Sequence, residues 1–252
     1  RVLVGSGLLA LAVAVAPRVD GQDKGGDAPL PVSQPVIDVS SPEQALYRIA
    51  VPDLGGTAGL GSQGAGVLRS DFALISLFKV LDPASFVASP AEGLSITPAS
   101  WQSVGAQGVI KGDVRQVGGS ISVTMHFFEI ARGTEPTLKK NYSGSASDLR
   151  KFMHDFANEV VRILTGEPAA FDTRITFARR EGPGKKDVFV SDFDGANLGR
   201  VSGGRGVSML PAFGLGSVWY SVLSEDGMFI TKAGANDRPI IKGSGLHMGV
   251  TA

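Results

Sequence analysis

The sequence predicts an α/β amino-terminal domain, a mixed sheet with packed helices, followed by an incomplete β-propeller truncated after about two blades. Three observations carry this. Between about 45 and 170, short β-rich runs alternate with helical periodicity. After Phe171 the helical period vanishes. Beyond that point, 175–201 and 218–241 repeat one another at a spacing near 40 residues, as propeller blades do.

The amino terminus reads as an address. Residues 2–16, VLVGSGLLALAVAVA, form an uncharged apolar run after Arg1. As a helix they would span about 22 Å, short of a hydrocarbon core of about 30 Å. The run ends in Ala14-Val15-Ala16, the small-x-small pattern of a signal-peptidase site, so 1–16 is expected to be a cleavable signal peptide. Residues 17–44 open rich in Pro, Gly and Asp without periodicity and read as a flexible leader. The mature protein is therefore expected outside the cytoplasm.

The α/β region is placed at 45–170. Tyr47–Val51 is a short apolar strand. In AGVLRSDFALIS at 65–76, Val67, Leu68, Phe72 and Ile75 share a helical face, and Leu77–Leu81 follows as a strand. A weak helix at Pro98–Val104 carries Trp101. Val109–Val117 and Ser120–Ala131 are β-rich runs joined at Gly118-Gly119, a hairpin signal, and Leu138–Tyr142 is a further strand. The strongest helix spans about 146–164, where Leu149, Phe152, Met153, Phe156, Val160, Val161 and Leu164 make one apolar stripe. Ser145 with Asp148 suits its cap, and Gly166 with Pro168 stops it.

Residues 171–252 are expected to hold the first blade and part of a second. Phe189 pairs with Phe229 and Ser191 with Thr231 at an offset of 40, and Gly195-Ala196-Asn197 pairs with Gly234-Ala235-Asn236 at 39. Blades cannot bury both faces alone and sit in rings of about four to eight. The second unit stops at Ala252 without closing strands, so further blades are expected to follow.

Composition leaves little equipment for chemistry. The 24 basic and 24 acidic residues cancel, and no region carries the basic excess that tracks phosphates, which disfavours nucleic acid. Without cysteine there is no disulfide, thiolate metal site or thiol nucleophile. The histidines at 126, 154 and 247 have no metal partners at helix or strand spacing: His126 reads as a sheet-face residue and His154 as solvated. Gly59-Leu60-Gly61-Ser62-Gln63-Gly64, with Asp82 further on, imitates a dinucleotide fingerprint. Seven residues separate Val51 from Gly59, however, where a working fingerprint turns directly after the strand, so the stretch reads as a mobile Gly-rich loop. No G-x-S-x-G elbow occurs. Asp192 and Asp194 in S-D-F-D-G read as a turn, Arg179, Arg180, Lys185 and Lys186 as a hairpin tip, and Trp101, Trp219 and Tyr220 as core.

Several segments then point to one family. PVIDVSSPEQALYRIAVPDL at 35–54, LRSDFALISLFKVLDPASF at 68–86, WQSVGAQGVIKGDV at 101–114, LTGEPAAFDTRITFARR at 164–180 and VSDFDGANLGRVS at 190–202 resemble, in order, segments of the TolB family of the Tol-Pal envelope system. The resemblance covers about 35–245. SMLPAFGLGS at 208–217 departs from the family's S-P-A-W-S-P-D-G, and about 19 residues of leader precede the matching V-I-D. The resemblance implies a non-enzymatic periplasmic adaptor with no cofactor, metal or small-molecule substrate. By the same match, Val36, Ile37 and Asp38 would contact TolA, and the propeller would bind the lipoprotein Pal. Two alternatives stay open: an exported propeller hydrolase and a generic ligand-binding propeller.

Overall fold

The computed structural model describes residues 46–86, 92–225 and 227–249. The expected signal peptide and leader, with Val36, Ile37 and Asp38, lie outside these residues.

The α/β part begins with β1 (Tyr47–Ala50), the two-residue β2 (Gly55–Gly56), α1 (Leu60–Leu74) and β3 (Phe78–Val80). It continues through α2 (Pro98–Ser103), β4 (Gly108–Val117), β5 (Ser120–Glu129), β6 (Leu138–Ser145) and α3 (Leu149–Thr165). The sheet order is β3-β1-β4-β5-β6, with β2 added beside β4. β1 runs parallel to both β3 and β4, whereas β4, β5 and β6 form an antiparallel meander. The sheet is therefore mixed, as expected, and the hairpin turns at Gly118-Gly119.

Strand alternation divides the core into two layers. Ile49, Ile110, Val123 and Phe127 face α1 and α3, joining Leu68, Phe72, Met153, Phe156 and Val160. Ala50, Val109 and Phe128 face the other way, onto Trp101, Ile96 and Ile130. The second layer also holds a buried ion pair: Lys111 Nζ lies 2.9 Å from Glu92 Oε2 and 5.0 Å above the Trp101 ring. Burial raises the Glu92 carboxyl, but the Lys111 and Thr97 hydrogen bonds outweigh it and hold the group below its usual range. His126 lies on a sheet face, as expected, with Nδ1 3.1 Å from the Leu94 carbonyl.

α3 follows its sequence signals closely. Its stripe is buried at Leu149, Met153, Phe156, Val160, Val161 and Leu164, and Phe152 stacks on Tyr142 at 5.0 Å. One 3-10 turn at 146–148 precedes it, fixed by the reciprocal Ser145–Asp148 capping box, and Gly166 ends it in the left-handed region at φ 91.

α1 departs from expectation: it begins at Leu60, inside the stretch read as a mobile glycine loop. The glycines serve close approach. A Cβ on Gly61 would stand 2.0 Å from the Leu54 carbonyl oxygen, and one on Gly64 would press on Leu54 and on Met153 of α3. The fingerprint-like spacing is thus a packing pattern.

The second sheet comprises β7 (Arg174–Gly182), β8 (Lys185–Asp192), β9 (Gly199–Arg200), β10 (Val207–Gly214), β11 (Ser217–Ser224) and β12 (Gly227–Lys232). Its order is β12-β11-β10-β8-β7, with β9 beside β8. The two antiparallel groups meet where β10 and β8 pair in parallel at Val207 and Lys186. Among the described residues the strands do not close into a ring. The sequence repeat is also a conformational repeat. Gly195 and Gly234 both have φ 84, Asn197 and Asn236 have φ 52 and 51, and Phe189, Phe229, Ser191 and Thr231 are all buried. Val188, Val218, Tyr220, Val222 and Phe229 fill the sheet's own core. Trp101 and Tyr220 are core as expected, whereas Trp219 is only half-buried.

The glycine account makes a signed prediction. Gly61→Ala should destabilise by about 3 kcal/mol, because backbone blocks its methyl. Gly66→Ala, on the open face of the same helix, should stabilise by about 1 kcal/mol through helix propensity. Urea unfolding of both variants checks this, and equal effects would contradict it.

Candidate functional site

The chemistry of the chain gathers where α1 and α3 meet the turn after β8. Asp71 lies on α1 with no accessible surface. Its Oδ2 is 2.8 Å from Nδ1 of His154 on α3. An ionised carboxylate can only accept, so Nδ1 donates and a neutral ring keeps its lone pair on Nε2. Arg150, one turn earlier, places Nη2 3.4 Å from that Nε2. The same Nη2 donates to Asp194 Oδ2 at 2.6 Å and lies 3.9 Å from Asp192 Oδ2. One polar chain thus runs from the interior of the α/β part to the second sheet.

The S-D-F-D-G stretch at 191–195 is a turn, as expected, but a docked one. Asp194 Oδ1 accepts from Ala196 N and Asp192 Oδ2 from the Asn197 side chain, leaving Asp194 Oδ2 for Arg150. Between the two aspartates, Phe193 meets Phe171 edge-on at 5.9 Å, and Phe171 meets Phe72 at 6.2 Å. An aromatic series therefore parallels the polar one.

Burial acts on the two carboxyls with opposite outcomes. It raises the Asp71 carboxyl above its usual range despite the His154 hydrogen bond. It also pushes Asp194 upward, but Arg150 and the Ala196 amide outweigh it and hold that carboxyl below its usual range. Two groups remain under-satisfied: Asp71 Oδ1 and Arg150 Nε are buried without a partner. A groove of about 300 Å³ opens beside the chain, lined by Arg150, Lys151, His154, Phe171, Asp172 and Asp192.

His154 corrects the sequence reading: it is 5% accessible, not solvated. Periodicity placed it off the apolar stripe, but α1 covers that flank and supplies a partner 83 residues away. Arg179, Arg180, Lys185 and Lys186 do flank the β7–β8 turn, and Arg179 additionally stacks over Phe189 at 4.0 Å.

Residues 35–136 match the family profile described as the TolB amino-terminal domain. Over 212 residues the chain is 37% identical to the Tol-Pal system protein TolB of Anaeromyxobacter dehalogenans strain 2CP-1, covering 82% of this chain and 46% of that one. The chain belongs to the TolB family. The Myxococcus xanthus TolB is 30% identical over 200 residues, covering 77% of this chain and 43% of its own. The crystal structure of TolB from Acinetobacter baumannii superposes with a TM-score of 0.63 at 18% identity, over 77% of this chain and 48% of that one, and shares the fold. This TolB-family chain spans about half the length of the curated relatives it matches. Its family profile covers the α/β part through β5, whereas the polar chain straddles both sheets.

The Arg150–Asp194 link should behave as a coupled pair. A double-mutant cycle of Arg150→Ala and Asp194→Ala is expected to give a coupling of about 1–2 kcal/mol at pH 7, discounted for the partly exposed guanidinium. Asp194 titrates lower in the folded state, so this contribution is present above pH 3.8, the ordinary carboxyl value. It is lost as pH falls from there through the lower folded-state value. Coupling near zero at pH 7 would show that the pair carries no stability.

Proposed function

We propose that the chain acts in a non-enzymatic periplasmic adaptor of the Tol-Pal envelope system, linking TolA of an energised inner-membrane complex to the lipoprotein Pal. This adaptor would maintain the outer membrane and assist its constriction at division. The observation that carries the reading is the identity with TolB proteins over 212 residues, which runs across both sheets. Residues 1–16 would direct export, and the second sheet would begin a β-propeller whose blades hold Pal. The matched left-handed positions of Gly195 and Gly234 support the blade assignment. Names of the relatives as Tol-Pal system proteins support a role without turnover.

The leader is the proposed TolA-docking segment, through Val36, Ile37 and Asp38. An extended strand added to a partner's sheet edge gains backbone hydrogen bonds, against an ordering cost of about 1–2 kcal/mol per residue. If the same segment also pairs with an edge of its own α/β part, the two states lie close in energy and a partner's differential affinity sets the balance. Deleting residues 17–40 is expected to abolish capture of TolA in a pull-down, with Pal binding by the full-length protein retained. Undiminished TolA capture would refute the assignment.

A further inference from the structure

We propose that residues 92–104, which carry α2, form a hinged cover on the sheet face opposite α1 and α3, with the Glu92–Lys111 ion pair as its catch. The cover is fastened by contacts that involve side chains. Among the described residues, no backbone–backbone hydrogen bond joins 92–104 to a strand. Its own backbone bonds are local: Ser95 N donates to Glu92 O, Ser100 N to Thr97 O, and Gly105 N to Gln102 O. A segment tied down in this way can leave the sheet without breaking the ladder beneath it.

The fastening is concentrated at one place. Lys111 and His126 stand directly opposite one another across β4 and β5. Lys111 Nζ donates to Glu92 Oε2 at 2.9 Å, and His126 Nδ1 meets the Leu94 carbonyl at 3.1 Å. Glu92 also organises the cover itself: its Oε1 accepts from Thr97 N at 2.9 Å and its Oε2 from Trp101 Nε1 at 3.3 Å. Ile96 and Trp101 supply the apolar part, in one cluster with Val109, Phe128 and Ile130.

The far end of the cover is built as a hinge. Gly105 has φ 77, a left-handed value that glycine adopts at little cost. At this point the chain is pinned to β1: Arg48 Nε donates to Gly105 O at 2.6 Å, and Gln107 N donates to Arg48 O at 2.8 Å. Motion of the cover therefore ends at Gly105 and does not pass into β4.

The chemistry of the catch favours a releasable contact. Both side chains are only 9% accessible. A buried ion pair adds little stability over apolar residues of similar size, whereas removing one partner strands the other charge away from water. In the open state Lys111 and Glu92 are both hydrated, so loss of either member shifts the balance toward opening. Opening bares Ala50, Val109 and Phe128 of the sheet.

Hydrogen exchange of the whole chain, followed by nuclear magnetic resonance, tests this. The Thr97 amide and the Trp101 indole Nε1–H, both bonded to Glu92, should show one shared protection at least about 100-fold below that of the β5 amides. Their exchange should also depend less steeply on urea than exchange in β5, as a local opening does. Glu92→Gln should speed both protons at least about tenfold, the loss of one charge-assisted bond, with β5 unchanged. Lys139→Gln, an exposed cation of β6, should alter neither. Protection of the two protons equal to that of β5, with the same urea dependence, would overturn the proposal. So would a Glu92→Gln variant in which the two protons keep their wild-type rates or β5 accelerates equally. The wild-type comparison decides even if Glu92→Gln fails to fold.

Discussion

The guanidinium of Arg150 is the constraint on which the arrangement of the two sheets depends. It sits on α3, whose apolar stripe is committed to the first sheet, and donates outward to Asp194 of the second. A helix fixed by Leu149, Met153, Phe156 and Val160 cannot follow a wandering turn, so the turn must come to it. The turn is itself stiff, because Asp192 and Asp194 each satisfy a group within it. Rigid parts joined by a short charge-assisted bond and an aromatic contact behave as one body. Phe171 completes this logic, as a core residue of the α/β part that also touches Phe193.

The energetic character of the junction is mixed. The Phe72–Phe171–Phe193 series offers burial with little geometric demand beyond edge-on contact. The polar series is demanding: Asp71 is buried with one oxygen unpaired, and its carboxyl is displaced upward by that burial. At neutral pH an ionised Asp71 costs stability, a cost that falls as acid protonates it, opposite in sign to Asp194. A chain seeking stability alone would place a leucine there. The carboxylate retained there orients the His154 ring through its Nδ1.

Much of the fold could be read from residue patterns, and the misses share a cause. α3 was legible because stripe, cap and stop coincide within one segment, and the hairpin because Gly118-Gly119 separates two alternating runs. The blade-like repeat was legible because left-handed turn positions demand Gly and Asn, so conformation was written into composition at Gly195, Asn197, Gly234 and Asn236. The start of α1 was not, since glycine in a helix makes sense only once Leu54 and Met153 are seen against it. His154 was misjudged, and the docking of the Asp194 turn onto Arg150 missed, for the same reason. Their partners, Asp71 and Arg150, lie 83 and 44 residues away, beyond the reach of any local period. Leader residues Val36, Ile37 and Asp38 rest on family likeness alone and lie outside the described residues.

The central claim is that the Arg150–Asp194 bond and the Phe171–Phe193 contact hold the two sheets as one rigid body. The most direct measurement places one spin label on exposed Lys139 of β6 and another on exposed Lys232 of β12, and records the distance distribution by pulsed electron resonance. A single narrow distribution is expected, broadening when Asp194→Ala and Phe193→Ala are combined. A distribution already broad in the unmodified chain, or one the double substitution leaves unchanged, would contradict the account.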